Sequence, residues 1–183
     1  MLIGFAGKRT AGKTTAAQIL IHEFGFAQAK FAFALKEGIR TAYGLTPEQT
    51  DGKLKEAETD LLGGETPRTA MEWFGEESRK LFGEDIWVKR WFALNAHAVK
   101  RGDHFVFDDV RNEVEASAIR AAGGKVIRIY NPQADALEML PSEAGLNEIR
   151  ANFVLANNLT ERFTDDVRSL AMFQLGFRDT CAA

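Results

Sequence analysis

Residues 7–14 read GKRTAGKT and satisfy the pattern G-x-x-x-x-G-K-[ST]. An apolar run, LIGFA at 2–6, precedes this stretch, and apolar residues at helical spacing follow it from Lys13 to Phe24. This is the context that the pattern requires, because its glycines form a tight turn between a strand and a helix. The sequence therefore predicts a strand, a phosphate-binding loop and a helix, in that order.

The chemistry expected of this loop is the binding of a nucleotide's phosphates. Backbone N–H groups and the positive end of the helix dipole would point at phosphate oxygens. Lys13 would bridge the β- and γ-phosphates of ATP, and the Thr14 hydroxyl would be a ligand of Mg²⁺. A simple glycine turn is the alternative, and the flanking strand and helix argue against it. The residues expected to bind ATP here are Gly7, Lys8, Arg9, Ala11, Gly12, Lys13, Thr14 and Thr15.

Beyond the loop, short apolar segments alternate with longer helical patterns. Parallel strands need long crossover connections, so this alternation predicts a parallel sheet with helices on both faces. The expected fold class is therefore α/β, a three-layer α/β/α P-loop fold with a five-stranded parallel sheet. The expected strands are 2–6, 27–31, 104–109, 125–130 and 152–156. The expected helices are 13–24, about 35–43, one that starts at Thr66-Pro67, about 85–101, about 112–122 and 160–175.

The segment HFVFDDVR at 104–111 is expected to supply the second half of the site. Its apolar residues form a buried strand, and Asp108 and Asp109 follow at the edge where parallel sheets bind their ligands. Carboxylates there can hold Mg²⁺ directly or through water, so Thr14, Asp108 and Asp109 are the candidate metal ligands. A helix N-cap or a turn is the alternative role for the two aspartates.

The stretch from Leu45 to Thr66 is polar and acidic and contains one proline and three glycines. Loops of this length are usually functional or disordered. We expect it to be a mobile connection.

Length and composition limit the remaining classes of function. With 183 residues, 45% hydrophobic and 27% charged, the chain is expected to fold as a single globular domain. Its formal net charge of -3 argues against a nucleic-acid polymer as partner. No apolar window is long enough for a membrane span, so no membrane partner is expected. The only cysteine, Cys181, excludes an intramolecular disulfide and suits a cytoplasmic protein.

Longer segments match the pattern of a known family. In chain order they are GFAGKRTAGKTTAA, KFAFALKEGIR, TPRTAMEWFGEESRKLFGEDIWV, FVFDDVRNEVEA, GGKVIRIYNP, PSEAG and NFVLANN. The phosphate loop alone is unspecific, whereas the ordered combination of FAxxLK, PR, GxExxR, DIW and DVR is much more specific. Over most of its length the chain resembles the phage-type deoxynucleoside monophosphate kinases, within the nucleoside monophosphate kinase group of P-loop proteins.

The resemblance implies an enzyme that uses ATP and Mg²⁺ to convert a (deoxy)nucleoside monophosphate to the diphosphate, in the host cytoplasm if it is phage-encoded. It implies one kinase domain, 1–183, with an acceptor-binding insertion at about 33–101, a short lid at about 131–147 and a sheet order of 2-3-1-4-5. Asn157 and Asn158 would lie near the base of ATP. The acceptor would contact Phe33, Lys36, Arg68, Glu72, Arg79, Asp109 and Arg111, and the catalytic residues would be Lys13, Arg68, Asp109 and Arg111.

The helix expected after Thr66-Pro67 supports an acceptor site by its own pattern. At about 100° per residue, Arg68, Gly75 and Arg79 fall on one stripe with Glu72. Two arginines on one line suit a phosphate, because each guanidinium can make two charge-assisted hydrogen bonds to it, and Gly75 would leave room for the ligand. The alternative is a solvated helix with i,i+4 ion pairs, such as Arg68 with Glu72 and Glu76 with Lys80.

Three tryptophans, Trp73, Trp87 and Trp91, could stack on a base or belong to the core. Trp87 and Trp91 share a helical face with Leu94 and Ala98, which favours packing. Our interpretation is that two of the three belong to the core and that Trp87, in the DIW segment, is the substrate-binding exception.

Two other functions are compatible with the sequence. One is a P-loop kinase of another small phosphorylated metabolite, and the other is a nucleotide-dependent binding or assembly module that hydrolyses slowly and signals through a partner. ADP release that depends on an added (deoxy)nucleoside monophosphate would support the kinase that the resemblance implies. ADP formation that is independent of an acceptor would support the binding or assembly module. The expected partners are small-molecule nucleotides, and the sequence leaves the oligomeric state open, a homodimer included.

Overall fold

Five parallel strands carry the phosphate loop in the computed structural model, which describes residues 1–139, 141–160 and 162–177. Cys181 lies outside these residues. The described chain forms two compact units, one from residues 1–30 and 95–177 and the other from residues 31–94.

The strands all belong to the first unit. Their order in the sheet is β2-β3-β1-β4-β5, which confirms the expected order 2-3-1-4-5, and every neighbouring pair is parallel. β1 is buried along its whole length because it is the central strand, with Ile3 opposite Val106 on one side and Lys125 on the other. The strands are β1 (Leu2–Ala6), β2 (Ala27–Ala29), β3 (Phe105–Val110), β4 (Lys125–Tyr130) and β5 (Phe153–Ala156).

The helices follow the strands in alternation within the first unit and cluster together in the second. They are α1 (Lys13–Phe24), α2 (Phe33–Tyr43), α3 (Pro47–Asp51), α4 (Pro67–Phe82), α5 (Ile86–Leu94), α6 (Ala96–Arg101), α7 (Glu113–Ala121), α8 (Pro132–Asp135) and α9 (Arg162–Ser169). Short 3₁₀ segments occupy Lys53–Glu56, Asp60–Leu62 and Pro141–Glu148, and a π-helical turn, Leu170–Gln174, follows α9. Among the described residues, no helix is both long and apolar enough to cross a membrane.

Helices cover both faces of the sheet in the first unit. On one face, Leu20 of α1 and Val167 of α9 join a buried cluster with Ile3 and Phe5 of β1. On the other face, Ile119 of α7 lies against β1, close enough to fill the space beside Gly4. The first unit is therefore the expected three-layer α/β/α structure, because alternate side chains of a strand point to opposite faces.

The second unit has its own small apolar core. Leu35 and Ile39 of α2 are buried together with Met71 of α4 and with Leu45, which lies between α2 and α3. Thr66 begins α4 as an N-cap whose side chain accepts a hydrogen bond from the Thr69 N–H, followed by a proline in the first turn, as expected. The apolar residues of α4 therefore pack against α2 within this unit.

The stretch from Leu45 to Thr66, for which mobility stays a prediction, contains regular structure that its composition did not indicate. It contains α3 and the 3₁₀ segments Lys53–Glu56 and Asp60–Leu62. Thr46 and Gln49 form a capping box at the start of α3, and Thr50 is fully buried. Elements this short carry too few residues for a helical period, so the pattern of apolar residues does not reveal them.

The helix expected from Asp85 to about Arg101 is interrupted and forms α5 and α6. Asn95 leaves the helical conformation with φ −107° and ψ 12°. Asparagine is a poor helix former because its side chain competes for nearby backbone groups. The interruption falls at the boundary between the two units.

The close approach of Gly124 to β1 generates a stability prediction. A Cβ atom here would overlap the carbonyl oxygen of Leu2 and lie 2.8 Å from that of Ile119, and neither backbone atom can move easily. We expect Gly124→Ala to lower the free energy of unfolding by about 1–3 kcal/mol, the range for overpacking in a core. The matched control is Gly38→Ala in α2, whose Cβ would lie at an ordinary 3.5 Å from Phe74. This control should stabilise by up to about 1 kcal/mol through helix propensity. Chemical denaturation of both variants checks the pair, and equal stabilities would contradict the packing argument.

Candidate active site

The loop from Gly7 to Thr14 connects β1 to α1 in the geometry that the motif predicts. Gly7 and Gly12 have φ values of 150° and 106°, which favour glycine. A Cβ atom at Gly7 would lie 2.6 Å from the carbonyl oxygen of Ile129, and one at Gly12 would overlap the side-chain nitrogen of Asn157. Both positions therefore need glycine for conformation and for space.

A β-branched residue in the loop, Thr10, also has a positive φ. Thr10 has a φ of 62°, in the left-handed region that such residues rarely adopt. The Ala11 N–H closes the turn by donating to the carbonyl oxygen of Lys8 at 3.2 Å. Strained backbone of this kind is concentrated at functional sites, where the surrounding structure holds it in place.

The side chain of Lys13 folds back over its own loop. Its ammonium donates to the carbonyl oxygens of Gly7 and Lys8, both at 2.6 Å. Burial lowers the pKa of Lys13, the carboxylate of Glu143 raises it, and the guanidinium of Arg111 lowers it again. Asp108 and Asp109 raise the pKa as well, by smaller amounts. A partly desolvated cation whose hydrogen bonds go to neutral carbonyl groups is well suited to exchange them for phosphate oxygens.

Thr14 and Asp108 meet at the end of β3. The Thr14 hydroxyl donates to Asp108 Oδ2 at 3.2 Å, and the Gln28 side-chain amide donates to the same oxygen at 3.4 Å. Asp108 is 8% exposed, and its Oδ1 is a buried oxygen with no hydrogen-bond partner among the described residues. A hydroxyl that donates its proton to a carboxylate keeps its lone pairs for a metal ion. This oxygen-rich pair therefore fits Mg²⁺, and it is not the helix N-cap that was the alternative role, since Asn112 caps α7.

Asp109 and Arg111 follow on the same stretch of chain. Asp109 is half-buried and Arg111 is exposed. The Arg111 backbone N–H donates to Glu115 of α7 at 2.8 Å, which fixes the chain where it leaves β3. The charges of both side chains act on Lys13, so the structure brings them to the region of the loop lysine.

Asn157, which was expected near the base of ATP, contacts the phosphate loop. It is buried beneath the loop, where its amide donates to the carbonyl oxygen of Ala11 at 2.9 Å. Its side-chain oxygen accepts the Leu159 N–H at 3.0 Å, so both ends of the amide already bind backbone. Asn157 therefore supports the loop, its position relative to a bound base stays a prediction, and its neighbour Asn158 is exposed.

A segment after β4 contacts the loop at two points. The Lys8 ammonium donates to the carbonyl oxygens of Asp135 and Leu137, at 2.8 and 2.7 Å. The Arg9 backbone N–H donates to Glu143 Oε1 at 2.6 Å. The segment coincides with the expected lid at about 131–147, apart from Leu140, which lies outside the described residues. The motifs did not indicate a role for Glu143, because its partner Arg9 lies far away in sequence. Glu143 does belong to the PSEAG segment, which matches the family pattern.

Three candidate acceptor residues of the second unit, Lys36, Arg68 and Glu72, form ion pairs. Arg68 binds Glu56 through its Nε and approaches Glu72 at 3.5 Å. Lys36 pairs with Asp51. The i,i+4 pairs that were the alternative for α4, Arg68 with Glu72 and Glu76 with Lys80 at 3.1 Å, are both present. Arg79 is half-buried and forms no salt bridge with any described residue, and Phe33 is 55% exposed.

Two expectations for α4 are corrected, those for Gly75 and Trp73. Gly75 does not leave room for a ligand: a Cβ there would lie 2.8 Å from Leu35, so this glycine allows α2 and α4 to pack closely. Trp87 is half-buried against the apolar core of the second unit, and its indole N–H donates to the carbonyl oxygen of Gly75 at 3.4 Å, while its contact with substrate stays a prediction. Trp91 is buried, whereas Trp73, which was expected in the core, is 57% exposed. Helical spacing placed the tryptophans on faces but did not indicate which face meets the core.

Comparison with known proteins agrees with this geometry. No model of a protein family matches the chain. A protein of Acanthamoeba polyphaga mimivirus, named "Putative deoxynucleotide monophosphate kinase", is 32% identical over 188 residues, which cover 92% of this chain and 95% of that protein. Among solved structures, the dephospho-CoA kinase of Campylobacter jejuni covers 93% of this chain and 95% of its own with a TM-score of 0.54 and 16% identity. The shikimate kinase of Aquifex aeolicus covers 96% of this chain and 99% of its own with a TM-score of 0.50 and 16% identity.

These two structures show the fold that this chain shares with them. The loop with its lysine and the similarity to the viral relative define a P-loop kinase, which is a phosphotransferase. Within that class the chain belongs to the deoxynucleotide monophosphate kinase family, as its identity to the viral relative along nearly the whole length of both chains shows.

The placement of Asn157 generates a prediction about nucleotide binding. Asn157→Ala leaves the Ala11 carbonyl without its buried donor, so we expect a loss of about 1–3 kcal/mol of folding free energy. Because both ends of this amide already bind backbone groups, we expect the affinities for ATP and GTP to fall by the same factor. Calorimetric titration with both nucleotides checks this, with Gln174→Ala, at an exposed position of the π-helical turn, as the unaffected control. A selective loss for one base would indicate a base contact instead.

Proposed function

We propose that the protein transfers the γ-phosphoryl group of ATP to a deoxynucleoside monophosphate and so forms the diphosphate. The observation that carries this proposal is the pairing of Thr14 with the buried Asp108 beside a loop lysine, in a chain of this kinase family. The name of the viral relative supports a monophosphate acceptor.

The donor half of the proposed reaction lies on the phosphate loop. Lys13 would exchange the carbonyl oxygens of Gly7 and Lys8 for the β- and γ-phosphates of ATP. Because Gly12 is the N-cap of α1, no N-cap side chain satisfies the first N–H groups of this helix, and they remain suited to phosphate oxygens. The remaining loop residues, Arg9, Ala11 and Thr15, stay in the proposed donor site.

Mg²⁺ would be held by the Thr14 hydroxyl, with Asp108 as direct or water-bridged partner. Within the described residues there is no group of three or more His, Cys, Asp or Glu side chains that could hold a metal ion alone. This agrees with Mg²⁺, which proteins usually bind through one or two carboxylates together with substrate phosphates and water. When bound, the ion would neutralise charge on the phosphates during transfer. Asp109 stays a second candidate ligand.

The acceptor half of the proposal rests on the cations of the second unit. Arg68 and Arg79 lie on α4 and Lys36 on α2, and we propose that they bind the monophosphate. Arg68 and Lys36 pair with carboxylates at exposed or partly exposed positions, where an ion pair contributes little free energy. A phosphate that takes two hydrogen bonds from a guanidinium can therefore replace a glutamate there.

Phosphoryl transfer depends on alignment of the acceptor with the γ-phosphate and on neutralisation of the phosphate charge, and it requires no protein nucleophile. Lys13 would stabilise the negative charge that spreads over the transferred group. Asp109 and Arg111 are proposed to face the phosphates and the acceptor from the end of β3, since the charges of both already act on Lys13.

A panel of acceptors tests the proposed function. With ATP and Mg²⁺, we expect ADP release to depend on an added deoxynucleoside monophosphate, with formation of its diphosphate. Lys13→Ala should abolish this activity. ADP formed at the same rate without any acceptor would favour the assembly module, and dependence on a different phosphorylated metabolite would favour another kinase.

The same panel tests the acceptor assignment. Arg68→Ala should leave ATP affinity close to normal and lower kcat/KM for the monophosphate by about 10- to 150-fold, the effect of losing a hydrogen bond to a charged group. Lys80→Ala is the control, because Lys80 lies on the same helix and pairs with Glu76 and Glu77. An unchanged kcat/KM in folded Arg68→Ala enzyme would place the acceptor phosphate elsewhere.

The pairing of Thr14 with Asp108 generates a prediction about metal dependence. Asp108→Asn keeps the shape of the side chain and removes its charge, so the Mg²⁺ concentration for half-maximal activity should rise about 10- to 100-fold. The control is Asp166→Asn, at a carboxylate of α9 outside the site. Titration of Mg²⁺ at fixed ATP measures both variants, and full activity of the wild-type enzyme in excess chelator would contradict the metal assignment.

A further inference from the structure

Glu143 is a buried carboxylate for which the proposed reaction has no role. It is 7% exposed, and its Oε1 accepts the backbone N–H of Arg9 at 2.6 Å, across 134 positions of sequence. Arg9 is a residue of the phosphate loop, whereas Glu143 belongs to the 3₁₀ segment Pro141–Glu148. Burying a carboxylate is unfavourable unless charge and hydrogen bonds compensate it. The loop supplies both, because the charge of Lys13 also acts on this carboxylate.

The hydrogen bond from Arg9 to Glu143 lies next to Thr10, the residue with a strained backbone. Arg9 and Thr10 are the two central residues of the turn that the Ala11 N–H closes onto Lys8. Thr10 has a φ of 62°, which glycine or asparagine would adopt more readily. A turn with this conformation at a β-branched residue persists only when its surroundings hold it. Glu143 binds the N–H of the residue directly before the strained one.

We propose that Glu143 is a positioning residue that holds the phosphate loop in its binding conformation through the Arg9 N–H. The proposal rests on the proposed function, because it assumes that the loop binds ATP. Glu143 acts through the loop backbone, so it should affect the affinity for ATP and not the affinity of the second unit for the acceptor. The Lys8 ammonium supports the same turn from its other side through the carbonyl oxygens of Asp135 and Leu137.

Replacement of Glu143 separates hydrogen bonding from charge. Glu143→Ala removes the acceptor for the Arg9 N–H, and we expect it to weaken ATP binding by about tenfold or more. Glu143→Gln keeps a carbonyl oxygen in the same place and loses a negative charge near the phosphates, so it should bind ATP as tightly as wild type or more tightly. The KM for the monophosphate should change in neither variant. Glu148→Ala, which removes an exposed carboxylate from the same segment, is the control and should bind ATP like wild type.

The strain at Thr10 gives a second, independent measurement. Thr10→Gly relieves the left-handed conformation, so the loop should depend less on Glu143. In this background, Glu143→Ala should weaken ATP binding by a smaller factor than it does in the wild-type background. The four proteins form a double-mutant cycle, and calorimetric titration with ATP and Mg²⁺, together with thermal denaturation to verify folding, provides the data.

The outcomes distinguish this inference from the proposed function. ATP binding by folded Glu143→Ala that equals or exceeds wild type would overturn the positioning role, as would a Gln variant as weak as the Ala variant. Equal factors in the two backgrounds would overturn the link to Thr10. A wild-type protein that binds no ATP at all would instead overturn the proposed function, and the inference with it.

Discussion

The absence of side chains at Gly7 and Gly12 is the constraint on which the rest of the structure depends. The carbonyl oxygen of Ile129 and the amide of Asn157 occupy the space where Cβ atoms would be. The loop therefore packs at backbone distance against β4 and the residue that follows β5. This contact requires β1, β4 and β5 to be successive in the sheet, which they are. Sheet order and loop geometry are thus parts of one packing solution.

Charged groups of both signs act on the loop lysine. Lys13 and Arg111 provide positive charge, and Glu143, Asp108 and Asp109 provide negative charge. Burial alone would favour a neutral Lys13, and the three carboxylates oppose that effect by raising its pKa. The loop lysine consequently combines partial desolvation, which strengthens its interaction with phosphate, with neighbours that support its charge.

Cations of the second unit have hydrogen-bond partners of a different kind from those of the loop lysine. Arg68 and Lys36 pair with carboxylates of the short elements between α2 and α4, at positions that water reaches. Such pairs contribute little to stability, so a ligand can replace the carboxylates without a large loss. The buried hydrogen bonds of Glu143 and Asn157 contribute more to stability, because water cannot replace a partner that a buried group has lost.

The sequence by itself determined the parallel α/β fold, the phosphate loop and the pairing of Thr14 with an aspartate, because these depend on local patterns and on the edge where strands end. Resemblance to a family supplied the strand order. Only the tertiary structure decided that Asn157 supports the loop, that Gly75 admits Leu35, that Trp87 packs on a core and that Glu143 binds the Arg9 N–H. Each of these depends on which distant residue fills a given space, and neither periodicity nor motif spacing carries that information.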